Sequence, residues 1–212
     1  MLIASRTEVG HVRSRQEDAL LVEAEHGLVA VCDGLGGHPA GDLASRTAVA
    51  SLAESAPDAV GSAEALVEAV LAAHDAVLAA ADGHRDRYDM ATTVVAAALR
   101  TGHATVVHVG DSRAYLLLAG DLRPVTRDHG VGGYLSQALG LDSGIEPELT
   151  EVDCPPGSRL LLCTDGLTNM VDDEDIASLL GGGAAADACD ALVEAALANG
   201  GIDNVTVIVV TF

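Results

Sequence analysis

The chain is poor in aromatic residues: 212 positions hold no tryptophan, one phenylalanine and three tyrosines. A core must therefore be packed from Ala, Val and Leu, and with 49% apolar residues there are enough of them. Positive charge is also scarce. Eleven Lys and Arg stand against 32 Asp and Glu, a formal net charge of −21. Such a surface repels polyanions, which argues against nucleic acid and anionic lipid as partners. Cys32, Cys154, Cys163 and Cys189 show no C-x-x-C spacing, and no Cys/His zinc pattern accompanies them. Cys32 and Cys163 lie in apolar runs and read as small buried hydrophobes. No secretory h-region opens the chain and no run approaches about 18 apolar residues, so a reduced, cytoplasmic protein without a membrane span is expected.

Other chemistries are missing too. Gly34, Gly36, Gly37 and Gly41 fit neither G-x-G-x-x-G nor G-x-x-x-x-G-K-[ST], and an acid precedes them. There is no G-x-S-x-G elbow. No cysteine has the arginine six positions later that a cysteine nucleophile for phosphate would need.

Length and the lack of a linker favour one domain spanning 1–212. Apolar runs broken by turns at His26-Gly27, Gly102, Gly110 and Pro155-Pro156-Gly157 predict strands at 2–8, 19–24, 27–32, 91–100, 103–109, 112–118, about 146–153, about 158–164 and 204–211. Ala-rich runs with apolar spacings of three and four predict helices from Ala40 to about Ser55, at 62–81, 173–180 and 184–199. Leu66, Val70, Ala73 and Val77 line the buried face of the second. A Gly-rich, irregular stretch covers 128–145. Strands joined mostly as hairpins, with helices in pairs, imply antiparallel sheets flanked by helices rather than a doubly wound sheet.

Four aspartates carry the chemistry. Asp33 (VAVCDGLGG), Asp111 (VVHVGDSRAYL), Asp165 (RLLLCTDGL) and Asp203 (GGIDNVTVIVV) each adjoin an apolar run and a glycine or asparagine. A strand that breaks off into Asp-Gly presents a carboxylate at a sheet edge on sharply bent backbone. Glu17-Asp18 adds two more acids just before a strand. Acidic oxygens gathered without a cluster of cations repel one another unless a hard divalent ion lies between them, and an all-oxygen donor set favours Mg²⁺ or Mn²⁺. A lone Asp-Gly is ordinarily just a turn; their recurrence at strand ends makes the argument.

Seven motifs then form a pattern: R-S-R-Q-E-D (13–18), V-C-D-G-L-G-G-H-P-A-G (31–41), M-A-T-T-V-V (90–95), V-G-D-S-R-A-Y (109–115), L-S-Q-A-L-G (135–140), L-C-T-D-G-L (162–167) and G-I-D-N-V-T (201–206). In this order, across nearly the whole chain, they resemble the metal-dependent Ser/Thr protein phosphatases of type 2C, the PPM family, in its compact bacterial form. The resemblance implies an α+β fold: a four-layer α-β-β-α sandwich of two antiparallel sheets flanked by helix pairs. It also implies a dinuclear Mn²⁺ or Mg²⁺ site at one end. There a hydroxide bridging two divalent metals attacks phosphoserine or phosphothreonine in proteins, opposing a Ser/Thr kinase.

By the same resemblance Asp33 bridges both ions, Gly34 offers its carbonyl to the second, and Asp165 and Asp203 hold the first. Asp18, with Glu17 beside it, stands behind them, Asp111 shares a third, weaker ion with Asp165, and Arg13 grips phosphate. His38 is a candidate proton donor to the leaving alkoxide; a loop-capping role is the alternative. A monomer is expected.

The pattern departs from the family at three places. Gln16 stands where Asn is usual, Ala91 where Gly is usual, and Asp128-His129 is followed almost at once by Leu135. The last shortens the family's flap, within about 128–145, and implies an open cleft. It also raises an alternative: a weak or inactive phosphatase fold that docks a signalling partner. Another alternative is an enzyme acting on a small phosphorylated metabolite.

Overall fold

The computed structural model describes residues 1–35, 40–131 and 134–212. In chain order the strands are β1 (Leu2–Glu8), β2 (Asp18–Glu23), β3 (Leu28–Asp33), β4 (Val94–Arg100), β5 (His103–Val109), β6 (Arg113–Leu118), β7 (Asp121–Pro124), β8 (Gly130–Val131), β9 (Tyr134–Leu135), β10 (Glu148–Asp153), β11 (Arg159–Cys163) and β12 (Val205–Thr211). The helices are α1 (Gly41–Ala59), α2 (Ala63–Ala81), α3 (Asp165–Thr168), α4 (Asp173–Leu180) and α5 (Ala185–Ala198).

Two five-stranded sheets form, β1-β12-β11-β6-β7 and β10-β5-β4-β3-β2, and β8 pairs with β9 as a small hairpin. The strand pairs are antiparallel. Period-two alternation explains the layering. Val29 and Val31 of β3 face between the sheets with Val95, Ala97, Leu160, Leu162, Ile208 and Val210. Their neighbours Ala30 and Cys32 face outward onto Ala44, Ala48 and Leu52 of α1 and Leu66, Val70 and Val77 of α2. On the opposite side Leu161, Val207 and Val209 meet Ile176 and Leu180 of α4 and Leu192 and Val193 of α5. Three apolar interfaces thus separate four layers, as expected. Small side chains let the layers close, and Tyr115 is the bulkiest fully buried residue. All four cysteines are buried and free.

Several boundaries differ from expectation. The helix expected to end near Ser55 runs to Ala59 and includes Pro57 in its last turn, at the loss of one backbone hydrogen bond. The strand expected from 91 begins at Val94, while Thr92 makes single bridges to Gly34 and Leu139. Four elements were not foreseen. β7 is a short, mostly exposed edge ending in proline, and α3 is a single turn begun by Asp165-Gly166, which reads as a turn in sequence. β8 and β9 lie inside the stretch expected to be irregular. Among the described residues no helix is long and apolar enough to cross a membrane.

Candidate metal centre and phosphate cleft

Strand ends from both sheets deliver the acids to one place. Asp33 ends β3 directly opposite Asp18, which begins β2. Asp111 sits in the β5–β6 turn, Asp165 opens α3 just beyond β11, and Asp203 precedes β12. Asp33, Asp111, Asp165 and Asp203 line a cleft of about 540 Å³ together with Arg13, Leu35, Thr93, Tyr134, Leu135 and Leu141. A larger groove, about 870 Å³, runs beside the C-terminal end of α2 and contains none of these acids. Volume alone would have pointed to the wrong place.

Bent backbone makes this convergence possible. A Cβ on Gly34 would overlap the carbonyl oxygens of Gly41 and Glu17, and one on Gly166 would overlap that of Asn204. Gly110, at φ +107°, faces Thr93 so closely that a Cβ would stand 2.7 Å from its Cγ2. These glycines are close-approach positions, and no side chain fits any of them without movement.

A frame of hydroxyls and two side-chain amides positions the carboxylates. The Asp33 N–H donates to Thr93 Oγ1 (3.0 Å), and its carbonyl accepts from Thr92 Oγ1 (2.9 Å). Thr93 Oγ1 in turn meets Ser112 Oγ at 2.7 Å. Asp18 Oδ2 accepts from Thr206 Oγ1 (2.7 Å) and Thr164 Oγ1 (3.0 Å). Asn204 accepts from the Glu17 N–H and donates to the carbonyls of Val9 and Arg15, clamping the segment that carries Arg13 against the Asp203 turn. Asn169 donates to Asp165 Oδ2 (2.9 Å).

The electrostatics are those of acids held too close. Burial, foremost, pushes Asp33 well above the carboxylate range, and the charges of Asp18, Asp165 and Asp203 add to it. Asp18 is pushed up to about 7, again mainly by burial, against the pull of its two threonine hydroxyls. Asp165 is raised by burial and by Asp203, less so because Asp33 and Asn169 hydrogen-bond to it. Asp111 rises to about 6 through burial and the nearby Asp165. Asp203 is differently placed: its Oδ2 accepts from Arg13 Nη2 at 2.7 Å and its Oδ1 from the Asn204 N–H at 2.8 Å. Arg13 also faces Glu17 at 4.0 Å.

Two buried oxygens, Asp18 Oδ1 and Asp165 Oδ1, have no hydrogen-bond partner among the described residues. Unpaired buried carboxylate oxygens are costly, and hard cations are the partners that an all-oxygen, mutually repelling set fits. The residues therefore suit the divalent ions that the motifs imply. Asp33, Asp111, Asp165, Asp203 and Arg13 come together around the cleft. Asp18 and Gly34 stand behind Asp33, and Glu17 lies against Arg13. His38 falls outside the described residues. The positioning side chains Thr93, Thr164, Thr206 and Asn204 were missed as functional, although each lies inside or beside a quoted motif.

A model of the family described as protein phosphatase 2C matches residues 9–198. The chain belongs to that family. It is 36% identical to the serine/threonine protein phosphatase PstP of Mycobacterium tuberculosis, over 97% of this chain but 44% of the relative, so it spans less than half of that protein. It is 31% identical to the serine/threonine phosphatase stp of Listeria monocytogenes over 97% of this chain and 93% of that one. Among solved structures, M. tuberculosis PstP/Ppp superposes with a TM-score of 0.89 at 35% identity, covering 98% of this chain and 97% of that one. A PstP catalytic domain in complex with two manganese ions gives 0.88 at 35% identity, with 98% and 96% covered. The expected fold and family are both borne out.

Proposed function

We propose that this protein is a metal-dependent phosphatase that hydrolyses phosphoserine and phosphothreonine in proteins, opposing a Ser/Thr kinase as a cytoplasmic monomer. The observation that carries the proposal is the cleft, where four crowded carboxylates face the guanidinium of Arg13. Names of relatives and the two manganese ions of the PstP complex support it.

Asp33, the Gly34 carbonyl, Asp165 and Asp203 would hold two ions, and Asp111 with Asp165 a third. When bound, Mn²⁺ or Mg²⁺ supplies Lewis acidity that makes water a nucleophile near neutral pH and offsets charge on the phosphoryl oxygens. The chain does the rest. Asp203 and Glu17 orient Arg13 across the cleft mouth, leaving further guanidinium N–H groups to grip phosphate oxygens in pairs. Thr93 and Thr92 fix the backbone of Asp33 from both sides, so its carboxylate needs little reorganisation. Leu35, Leu135 and Leu141 form an apolar wall for the substrate chain, and the short β8–β9 hairpin leaves Tyr134 84% exposed at the rim.

The test is Mn²⁺-dependent release of phosphate from phosphoserine and phosphothreonine peptides, abolished by EDTA and by Asp33→Asn. Turnover in EDTA, or full activity of the Asp33→Asn variant, contradicts the proposal.

A further inference from the structure

We infer that His108, His129 and Glu148 form a separate metal site with mixed nitrogen and oxygen donors, which takes a Zn²⁺-type transition ion at the root of the β8–β9 hairpin. His108 and Glu148 are paired across β5 and β10. The loop after β7 brings in His129, whose backbone N–H donates to the Gly110 carbonyl and whose carbonyl accepts from the Ser136 N–H, both at 2.9 Å. Three chain segments thus converge, and one donor atom from each residue lies within 4.8 Å of the others.

The spacing suits one ion. His129 Nε2 lies 3.3 Å and His108 Nε2 3.9 Å from Glu148 Oε2. Bonds of about 2.0–2.1 Å in a tetrahedron place neighbouring ligand atoms roughly 3.4 Å apart, a value that these two distances bracket. His108 Nε2 donates to the Arg127 carbonyl at 2.8 Å, so an ion bound at Nε2 takes the place of this hydrogen bond and moves the ring proton to Nδ1.

The His108 ring is almost fully buried, and its Nδ1 has no hydrogen-bond partner among the described residues. Burial holds this histidine below its ordinary pKa, in the neutral form a metal requires. The Gly110 N–H donates to His129 Nδ1 at 3.4 Å, a long contact that gives way when an ion at Nε2 moves the ring proton to Nδ1. Glu148 is half-exposed and leaves a path for the ion.

Two imidazoles and one carboxylate select Zn²⁺, Co²⁺ or Ni²⁺ over Mg²⁺, whereas the cleft offers oxygen alone. Filling the site would staple the hairpin root to β5 and β10 beside the Gly110–Asp111 turn. The inference does not depend on the phosphatase reading.

The experiment is a calorimetric Zn²⁺ titration of the whole protein in excess Mg²⁺, followed by the visible spectrum after Co²⁺ substitution. One Zn²⁺ equivalent is expected to persist, with intense tetrahedral Co²⁺ bands. Glu148→Gln should weaken binding about tenfold or more and leave Mg²⁺-dependent turnover unchanged. His129→Gln should remove the bands. Absence of a Zn²⁺ equivalent under excess Mg²⁺, or binding unchanged in both variants, overturns the inference.

Discussion

Asp18→Asn should make the metal-free protein more stable while weakening its response to metal. Asp18 is 6% exposed, and its carboxyl is pushed from 3.8 up to about 7, chiefly by burial. A carboxyl whose folded pKa exceeds its unfolded one contributes stability that is fully present below the unfolded value and is lost as pH rises through the folded value. Near pH 8 the ionised group therefore works against folding by roughly 4 kcal/mol, on the scale of 1.36 kcal/mol per pKa unit. Asparagine removes the charge and still accepts from Thr164 and Thr206, but leaves an amide N–H buried, which gives back about 1–3 kcal/mol. The net gain is roughly 1–3 kcal/mol, or several degrees in Tm for a chain of this length. Thermal melts in EDTA near pH 8 measure it directly. Between about pH 8 and pH 5 the advantage should shrink by roughly 2–3 kcal/mol as the wild-type carboxyl takes up its proton. Added Mn²⁺ should raise the wild-type Tm more than that of the variant. A variant less stable than wild type in EDTA near pH 8, or an advantage independent of pH, would refute the reasoning.

Three further outcomes are expected. Arg13→Ala, which removes the guanidinium from Asp203, should raise KM for phosphopeptides about tenfold or more, with a smaller fall in kcat; steady-state kinetics that move kcat alone would contradict the role in binding. Gly166→Ala forces a Cβ into the Asn204 carbonyl and should destabilise the protein by about 3 kcal/mol in urea titrations; a change within error would mean that the close approach is relieved freely. His108 and His74 are held below their ordinary pKa by burial, so with Mn²⁺ present stability should fall as pH drops below about 6.5, where the unfolded state gains protons first. A Tm that stays flat or rises from about pH 6.5 to pH 5 would remove the histidines from the account.

Antiparallel layers were legible from apolar runs joined mostly as hairpins and from paired helices, and the four-layer sandwich from the resemblance that the seven motifs carry. β3 and β12 are apolar on both faces, so only the structure assigns Val29, Val31, Ile208 and Val210 to one interface and Ala30, Val207 and Val209 to the others. Elements too short to carry a period were not legible, which is why β7, α3 and the β8–β9 hairpin appear only in the structure. Asp33, Asp111, Asp165 and Asp203 stood out because each breaks an apolar run beside a glycine or asparagine. Their supports did not stand out. The two hydroxyls on Asp18 come from positions 146 and 188 residues away, brought there by the register of β2, β11 and β12, and no local pattern marks them. The His108–His129–Glu148 group depends in the same way on the β5–β10 pairing and on the shortness of the loop that carries His129.

Anomalous scattering from crystals grown with Mn²⁺ tests the central claim most directly. The account predicts two strong peaks in the cleft, bonded to Asp33, Asp165 and Asp203, with Arg13 at the open side. A cleft in which those aspartates bind no manganese would contradict it.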